Sequence, residues 1–424
     1  MQHRAALVHG LTVVVSSMAL LMTVLVGASV AAGAASKPTG TPLVIGTIET
    51  VTGSSQCSNC RVTAATDTLN AWVKQVNAAG GIGGHPVQLV ALNDDADPGQ
   101  AQTDLAKLQS DNALAIVGED ASVTEPGWGA TITKDGLPVI GGTAYSTNWI
   151  TNPLFYPGTV TPLSAVWGII YAASKAVKQP KLGSVLCNSA SVCLAAQPLE
   201  VTAAKSLHLP IVYSGTVSPT ATDYTPQCLA MKAAGANVIA PEGVNQELLV
   251  KDCARQGYHP VVVTGDLQPI PNQVHSDPQL AGLVGPAGSF VPYQGFPALK
   301  GYFTMLKKYA PQYLPGGTGY DGTYWMDAST NAYVAAEVFQ KAIENADVPA
   351  GTAVTRADLI KGLSMFKDET LGGITPPLSY GDGTKPNPGE PCFYLYKTAN
   401  NKQVFEPIPS NKMTYYCEPQ SDLP

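Results

Sequence analysis

Charge is what this chain has least of. Lys and Arg number 24 and Asp and Glu 31, so charged residues are 13% of 424 positions and the formal net charge is −7. An average soluble chain is about 25% charged. The acidic balance excludes a nucleic-acid partner, because holding phosphates takes a basic face. Low charge is usual for secreted proteins rich in Ala, Gly, Thr and Pro, and identifies no partner by itself. Histidine is scarce as well. Of six, His3 and His9 lie in the first ten residues, and His85, His208, His259 and His275 sit at turns or strand entries and read as surface histidines. There is no G-x-S-x-G elbow, no P-loop lysine motif and no H-E-x-x-H pair. The glycines at 80–84 lack the G-x-G-x-x-G spacing and precede a strand, so a dinucleotide site fails too. These absences give the expectation of a protein that is not an enzyme, with no cofactor and no metal.

One long uncharged run is present, from Leu11 to Ala35, after Arg4. It is long enough to cross a bilayer. It ends, however, in Ala28, Ala31, Ala32, Ala34 and Ala35, which offer small-residue cleavage sites. Residues 1–35 are therefore read as a secretory signal and 36–41 as a flexible leader. No cysteine lies near the cleavage region, which excludes lipid attachment there. The expected location is secreted, periplasmic or associated with a bacterial cell surface. Eight cysteines remain downstream, an even number, and export makes disulfides the default reading. Cys57-Ser-Asn-Cys60 could also be read as redox or zinc chemistry, but the thioredoxin-like context and the two further ligands are missing.

The stretch Asn77 to Asp97, NAAGGIGGHPVQLVALNDDAD, carries the most structural information. An amphipathic helix closes on Gly80 and Gly81, Gly83 and Gly84 turn the chain, and an apolar strand follows and stops at carboxylates. Asp95 and Asp97 are expected to cap the next helix, with Pro98 in its first turn. The same alternation runs onward. Strands are expected at 43–48, 87–92, 113–117 and 138–140, and helices at 63–79, 98–110 and 125–134. A second series places helices at 164–177, 194–207, 226–234 and 245–256, and strands at 182–187, 210–214, 238–240 and 261–264. Apolar strands alternating with helices give an α/β fold of parallel sheets covered on both faces. Ligands of such sheets sit at the carboxyl ends of the strands. No internal repeat is present.

The phrase N-A-A-G-G-I-G-G-x-P-V, strand, D-D-A-D-P-x-Q-A, together with 43-LVIGTI and 114-LAIVG, resembles the type I periplasmic binding proteins, in particular the branched-chain amino acid and amide-binding family of ABC transporter substrate-binding proteins. The resemblance spans roughly 42–417 and thins after about 291. It implies two doubly wound parallel-sheet lobes joined by a multi-strand hinge. Lobe 1 would be 42–160 plus 291–374, and lobe 2 would be 161–290 plus 375–424. Crossings would fall near 159–162, 288–292 and 374–377. A helix at 324–345 would close lobe 1, and strands at 392–396 and 404–407 would form an antiparallel pair. The sequence alone does not fix the disulfide pairing; neighbours in this topology suggest Cys57 with Cys60, Cys187 with Cys193, Cys228 with Cys253, and Cys392 with Cys417.

The resemblance also implies the site. Ala121, Ser122 and Val123 after the third strand align with ligand-contact positions, as do Thr143, Ala144 and Tyr145 after the fourth. From the other lobe come Asn188, Glu242 and Asp266, the last in the place where an acid meets a ligand ammonium in amino-acid-binding relatives. Ser122 and Thr124 are cap-type residues, and the first turn of the following helix would offer N–H groups to a carboxylate. Glu119 and Asp120 depart from the family pattern. If they point inward, an amine, amide or polyol fits better than a zwitterionic amino acid. The implied function is capture of a small polar or amphipathic molecule by a monomer and delivery to a membrane ABC permease. The alternatives are an extracellular ligand-sensing module and, much less favoured, an α/β hydrolase.

Overall fold

The computed structural model describes residues 37–51, 63–144, 146–188, 191–218, 220–264, 277–318, 325–387, 391–399, 405–410 and 412–418, apart from the side chains of 162–163, 191–195 and 325–327. Cys57, Cys60, Tyr145, Asp266 and His275 lie outside these residues, as does the segment 1–35 expected to be a signal.

The first sheet is built from β1 (Leu43–Glu49), α1 (Ala64–Ala78), β2 (Val87–Asn93), α2 (Pro98–Ser110), β3 (Ala115–Glu119), α3 (Gly129–Asp135), β4 (Val139–Gly142), α4 (Asn148–Thr151) and β5 (Phe155–Tyr156). Its strands are parallel, in the order β2-β1-β3-β4-β5. Successive residues of one strand reach opposite faces. Ala115 and Val117 join one core with Trp72, Phe290, Tyr302 and Phe339, while Ile116 joins another with Leu108, Trp128, Trp149 and Phe155. Both faces are buried, which is why the strand reads as an unbroken apolar run. A fully buried aromatic such as Trp72 contributes about 3–5 kcal/mol relative to alanine.

The second sheet follows from α5 (Pro162–Ala176), β6 (Leu182–Cys187), α6 (Ser191–Ser206), β7 (Ile211–Val217), α7 (Thr225–Ala233), β8 (Val238–Glu242), α8 (Gln246–Arg255) and β9 (Val261–Val262). Its order is β7-β6-β8-β9, again parallel. A bridge from Val263 to Val284 continues it into β10 (Val284–Ala287). The chain then supplies α9 (Lys300–Tyr309), α10 (Trp325–Ala346) and α11 (Arg356–Ser364) to the first lobe. It finishes with β11 (Cys392–Thr398), β12 (Phe405–Ile408) and β13 (Tyr415–Cys417), antiparallel beside β10. β13 and the two-residue β5 are too short to stand out in a sequence.

Several expectations change. Asp97 caps α2 through a 2.8 Å bond from the Gln100 amide, but Asp95 does not; its φ is 52° and its carboxylate accepts from Asn93. Gly80, Gly81, Gly83 and Gly84 all take positive φ as expected. His85 is not a surface histidine: it is fully buried, with Nδ1 2.8 Å from the Thr41 carbonyl. The helix expected at 125–134 splits into a 3₁₀ turn (Glu125–Gly127) and the seven-residue α3. Pro126, Gly127 and Gly129 are poor helix formers, and a Cβ at Gly129 would sit 2.5 Å from the Asn148 amide.

The first two crossings run side by side, so close that a Cβ on Gly288 would meet Thr159 Oγ1 at 2.1 Å and Val160 at 2.7 Å. Tyr380 packs edge-on against Tyr156 and donates to the Pro157 carbonyl at 2.7 Å, and Asn387 donates to the Phe155 carbonyl at 2.7 Å. Tyr380 and Asn387 thus hold 380–387 against the last strand of the first sheet. Side-chain contacts decide this, and no strand or helix signal marks it.

Cys228–Cys253 ties α7 to α8 and Cys392–Cys417 ties β11 to β13, as expected. Cys187 is disulfide-bonded, while the Cys193 side chain is outside the described residues. Each described bridge closes a loop of 25 residues. Replacing Cys392 and Cys417 together by serine should cost about 3 kcal/mol through the freed unfolded chain. Urea unfolding of the double variant checks this; an unchanged midpoint would mean that β13 holds to β11 without the bond.

Candidate functional site

The order β2-β1-β3 makes connections leave β1 and β3 in opposite directions, and this switch point is where a parallel sheet opens a crevice at its carboxyl ends. A carboxyl group stands at the end of each central strand here. Glu49 ends β1 and Glu119 ends β3, both within 1% of full burial; Asp94 follows β2, and Glu125 opens the turn after β3.

Each joins neighbouring loops. Glu49 accepts from the Ala65 and Thr66 amides, both at 3.2 Å, and so occupies the first turn of α1. Asp94 accepts from the Thr50 hydroxyl at 2.8 Å, the Ala96 amide at 3.0 Å and the Thr124 hydroxyl. Glu119 accepts from the Ala121 amide at 2.8 Å and from both the amide and hydroxyl of Thr143 at 3.0 Å, which links the loops after β3 and β4. Glu125 repeats the link through the Ser146 hydroxyl and the Asn148 amide, both at 2.9 Å. Gly142 leaves room for this, since a Cβ there would meet Glu119 Oε1 at 2.6 Å.

Among the described residues no Lys, Arg or His forms an ion pair at this edge. Burial accordingly favours the protonated forms. Burial pushes Glu49 up to about 7, against the pull of its Thr66 and Ala65 bonds. Burial and then the nearby Glu125 carboxyl push Glu119 up to about 8. Asp120 is held well above the ordinary range by burial and by Glu49, Glu119 and Asp94, and burial also raises Glu125.

The sequence-derived site residues fare unequally. Ala121, Thr143 and Ala144 come together beside Glu119 but are at most 5% exposed, with the Ala121 amide and the Thr143 amide and hydroxyl already engaged. Ser122 is half-buried and Val123 is 39% exposed, so these two face outward from that loop. Thr124 gives its hydroxyl to Asp94 and does not cap, and the amides of Thr124, Glu125, Gly127 and Trp128 bond within the turn. The Ser122 and Val123 amides of the same turn make no hydrogen bond among the described residues. In the second lobe Leu186 and Glu242 are register partners, so Asn188, exposed, and Glu242, buried, lie at adjacent strand ends. Asn245 caps α8 just beyond, and Gln246, 3% exposed, has no hydrogen-bond partner for either side-chain atom. Sequence reading passed over Glu49, Asp94, Glu125 and Gln246. An acid at each strand end was the available signal. Among the described residues no group of three or more His, Cys, Asp or Glu is arranged to hold a metal ion, and no helix is long and apolar enough to cross a membrane.

Two parallel sheets in one chain, joined by adjacent crossings and carrying their loops at the strand ends, define a two-lobed ligand-binding fold. The periplasmic binding protein family model matches residues 42–403, and the chain belongs to that family. No curated protein matches it. Similar solved structures include a fatty acid ABC transporter substrate-binding protein from Thermomonospora curvata, with 19% identity, a TM-score of 0.67 and coverage of 90% of this chain and 94% of that one. A branched-chain amino acid ABC transporter protein from Thermus thermophilus with bound valine gives 14% identity and a TM-score of 0.68, covering 89% and 98%. A solute-binding protein from R. palustris in complex with 4-hydroxybenzoate gives 16% and 0.65, covering 90% and 99%. At these identities the likeness is one of fold, that of the type I periplasmic binding proteins.

Proposed function

We propose that this protein is an exported solute-binding protein that captures a small molecule between its lobes and hands it to a membrane ABC permease. Family membership over 42–403 carries the reading. The similar proteins hold or are named for an aliphatic acid, an aromatic acid and an amino acid, so capture of a small molecule is what transfers, and the particular ligand is not. Ser122 and Val123 would meet it from the first lobe, and Asn188, Glu242 and Asp266 from the second. Closure about the crossings at Thr159 and Gly288 would be favoured by the ligand's extra contacts in the shut form. The chain itself supplies binding and no chemical step.

A thermal-shift screen of amino acids, amides, polyamines and sugars tests this. A ligand at 100 times its dissociation constant should stabilise the fold by about 2.7 kcal/mol. Ser122→Ala combined with Asp266→Ala should abolish the shift and leave the unliganded melting point nearly unchanged. A shift undiminished in the double variant would put the pocket elsewhere.

A further inference from the structure

The outer side of α9 carries a groove in which the strand-end loops take no part. Tyr302, Met305 and Leu306 of this helix are buried. With about 3.6 residues per turn, Lys300, Phe303 and Lys307 fall together on the opposite side. These three line a groove of about 460 Å³ together with Phe296, Pro297 and Leu314. Sites for small molecules run from about 300 to 1,000 Å³ and are mostly apolar with a few polar groups. Phe303 and Leu314 are only half-buried, so apolar surface here still meets water.

The charge of this region is one-sided. Residues 293–317 contain Lys300, Lys307 and Lys308 and no Asp or Glu, in a chain whose net charge is −7. Lys308 lies over the Tyr309 ring at 4.8 Å. Lys300 and Lys307 are exposed and form no ion pair among the described residues. The Asp67 carboxylate of α1, the helix beside α9, is engaged by the Tyr313 hydroxyl at 2.7 Å. A lysine can lay its methylene stem on apolar surface and keep its ammonium in water. Two cations thus flank Phe303, on positions about 10 Å apart along the helix axis.

We infer that this groove binds a small amphipathic carboxylate, with its apolar body on Phe296, Phe303 and Leu314 and its carboxylate on Lys300 and Lys307. A neutral molecule of the same length gains only the apolar contact, and a cation is repelled. The site is separate from the cleft and does not rest on the solute-binding reading.

The experiment titrates octanoate, octanol and octylammonium into the mature protein by calorimetry. At low salt octanoate should bind about three- to five-fold more tightly than octanol, the scale of exposed charge pairs, and octylammonium most weakly. In about 1 M salt, where the screening length falls to about 3 Å, the preference should vanish. Lys300→Gln with Lys307→Gln should remove it too, leaving the melting point and the octanol affinity unchanged. Octanoate should also slow acetylation of Lys300 and Lys307 by an activated ester, read by peptide mass spectrometry, but not that of Lys361, exposed on α11. Octanol binding as tightly as octanoate, or binding by none of the three, overturns the inference. Octanoate binding that survives in the double variant, with Lys300 and Lys307 unprotected, places the acid elsewhere; it overturns this inference and leaves the solute-binding reading standing.

Discussion

Raising the pH from 5 to 8.5 should lower the unfolding free energy of this protein by several kcal/mol. Burial brings Glu49 and Glu200 up to about 7, the latter against its bond from Ser184, and Glu119 up to about 8. Below about pH 4.5 both folded and unfolded chains hold these protons and nothing is lost. As the pH rises, the unfolded chain ionises first, in water, while the folded chain keeps its protons until 7 or 8. The unfolded state therefore gains steadily across that window and the loss levels off beyond it. A displacement from 4.5 to about 7 is worth on the order of 3 kcal/mol per group. The acids with lowered values, Asp223, Asp277, Asp358 and Asp382, each hydrogen-bonded to a nearby backbone or hydroxyl group, act in the opposite sense but only below pH 4. Urea titrations at half-unit pH steps give the curve, and Glu200→Gln should flatten it by about one group's share while keeping an acceptor for Ser184. Stability that climbs between pH 5 and 8 would mean that these carboxyls are ionised and solvated in the folded protein.

Gly141→Ala should destabilise the first lobe by about 2–5 kcal/mol and disturb the loop that carries Thr143. Gly141, the third residue of β4, has φ at 57°, and a Cβ there would lie 2.5 Å from the Ala335 Cβ on α10. The backbone conformation alone costs an alanine about 1–2 kcal/mol. Forcing α10 away costs about 1–3 kcal/mol more. α10 also approaches Gly118, whose added Cβ would lie 2.9 Å from the Ala332 Cα, so the helix has no slack at the neighbouring strand end. Gly136→Ala separates the two contributions: its φ is 60° but nothing lies within 4 Å of the added carbon. Chemical unfolding of both variants checks the pair. Equal losses would show that α10 shifts without cost.

Sequence reading recovered what depends on local pattern. The alternation of apolar runs with amphipathic stretches gave both parallel sheets, and Gly80, Gly81 and Asp97 did what their chemistry requires. The pairing of Cys392 with Cys417 was suggested only by the topology that the resemblance implies, and β11 and β13 are register partners at those residues. What failed depended on which atom a side chain reaches. Thr124 looks like a helix cap in any sequence, and only coordinates reveal that its hydroxyl turns to Asp94. Glu119 looks like an outward acid after a strand, and its three donors come from 2 and 24 residues away. The seating of 380–387 against the first sheet was hidden for the same reason, since Tyr380 and Asn387 fix it by single contacts in a stretch of proline and glycine.

The outermost strand of the first sheet has only Phe155 and Tyr156 in which to pair. The Phe155 carbonyl, which a strand from another molecule would need, is already filled by the Asn387 side chain at 2.7 Å, and the Pro157 carbonyl by Tyr380 at 2.7 Å. Uncovered sheet borders invite edge-to-edge association. A late segment of the chain closes this border from within, which leaves it no free template on which a fibre could begin.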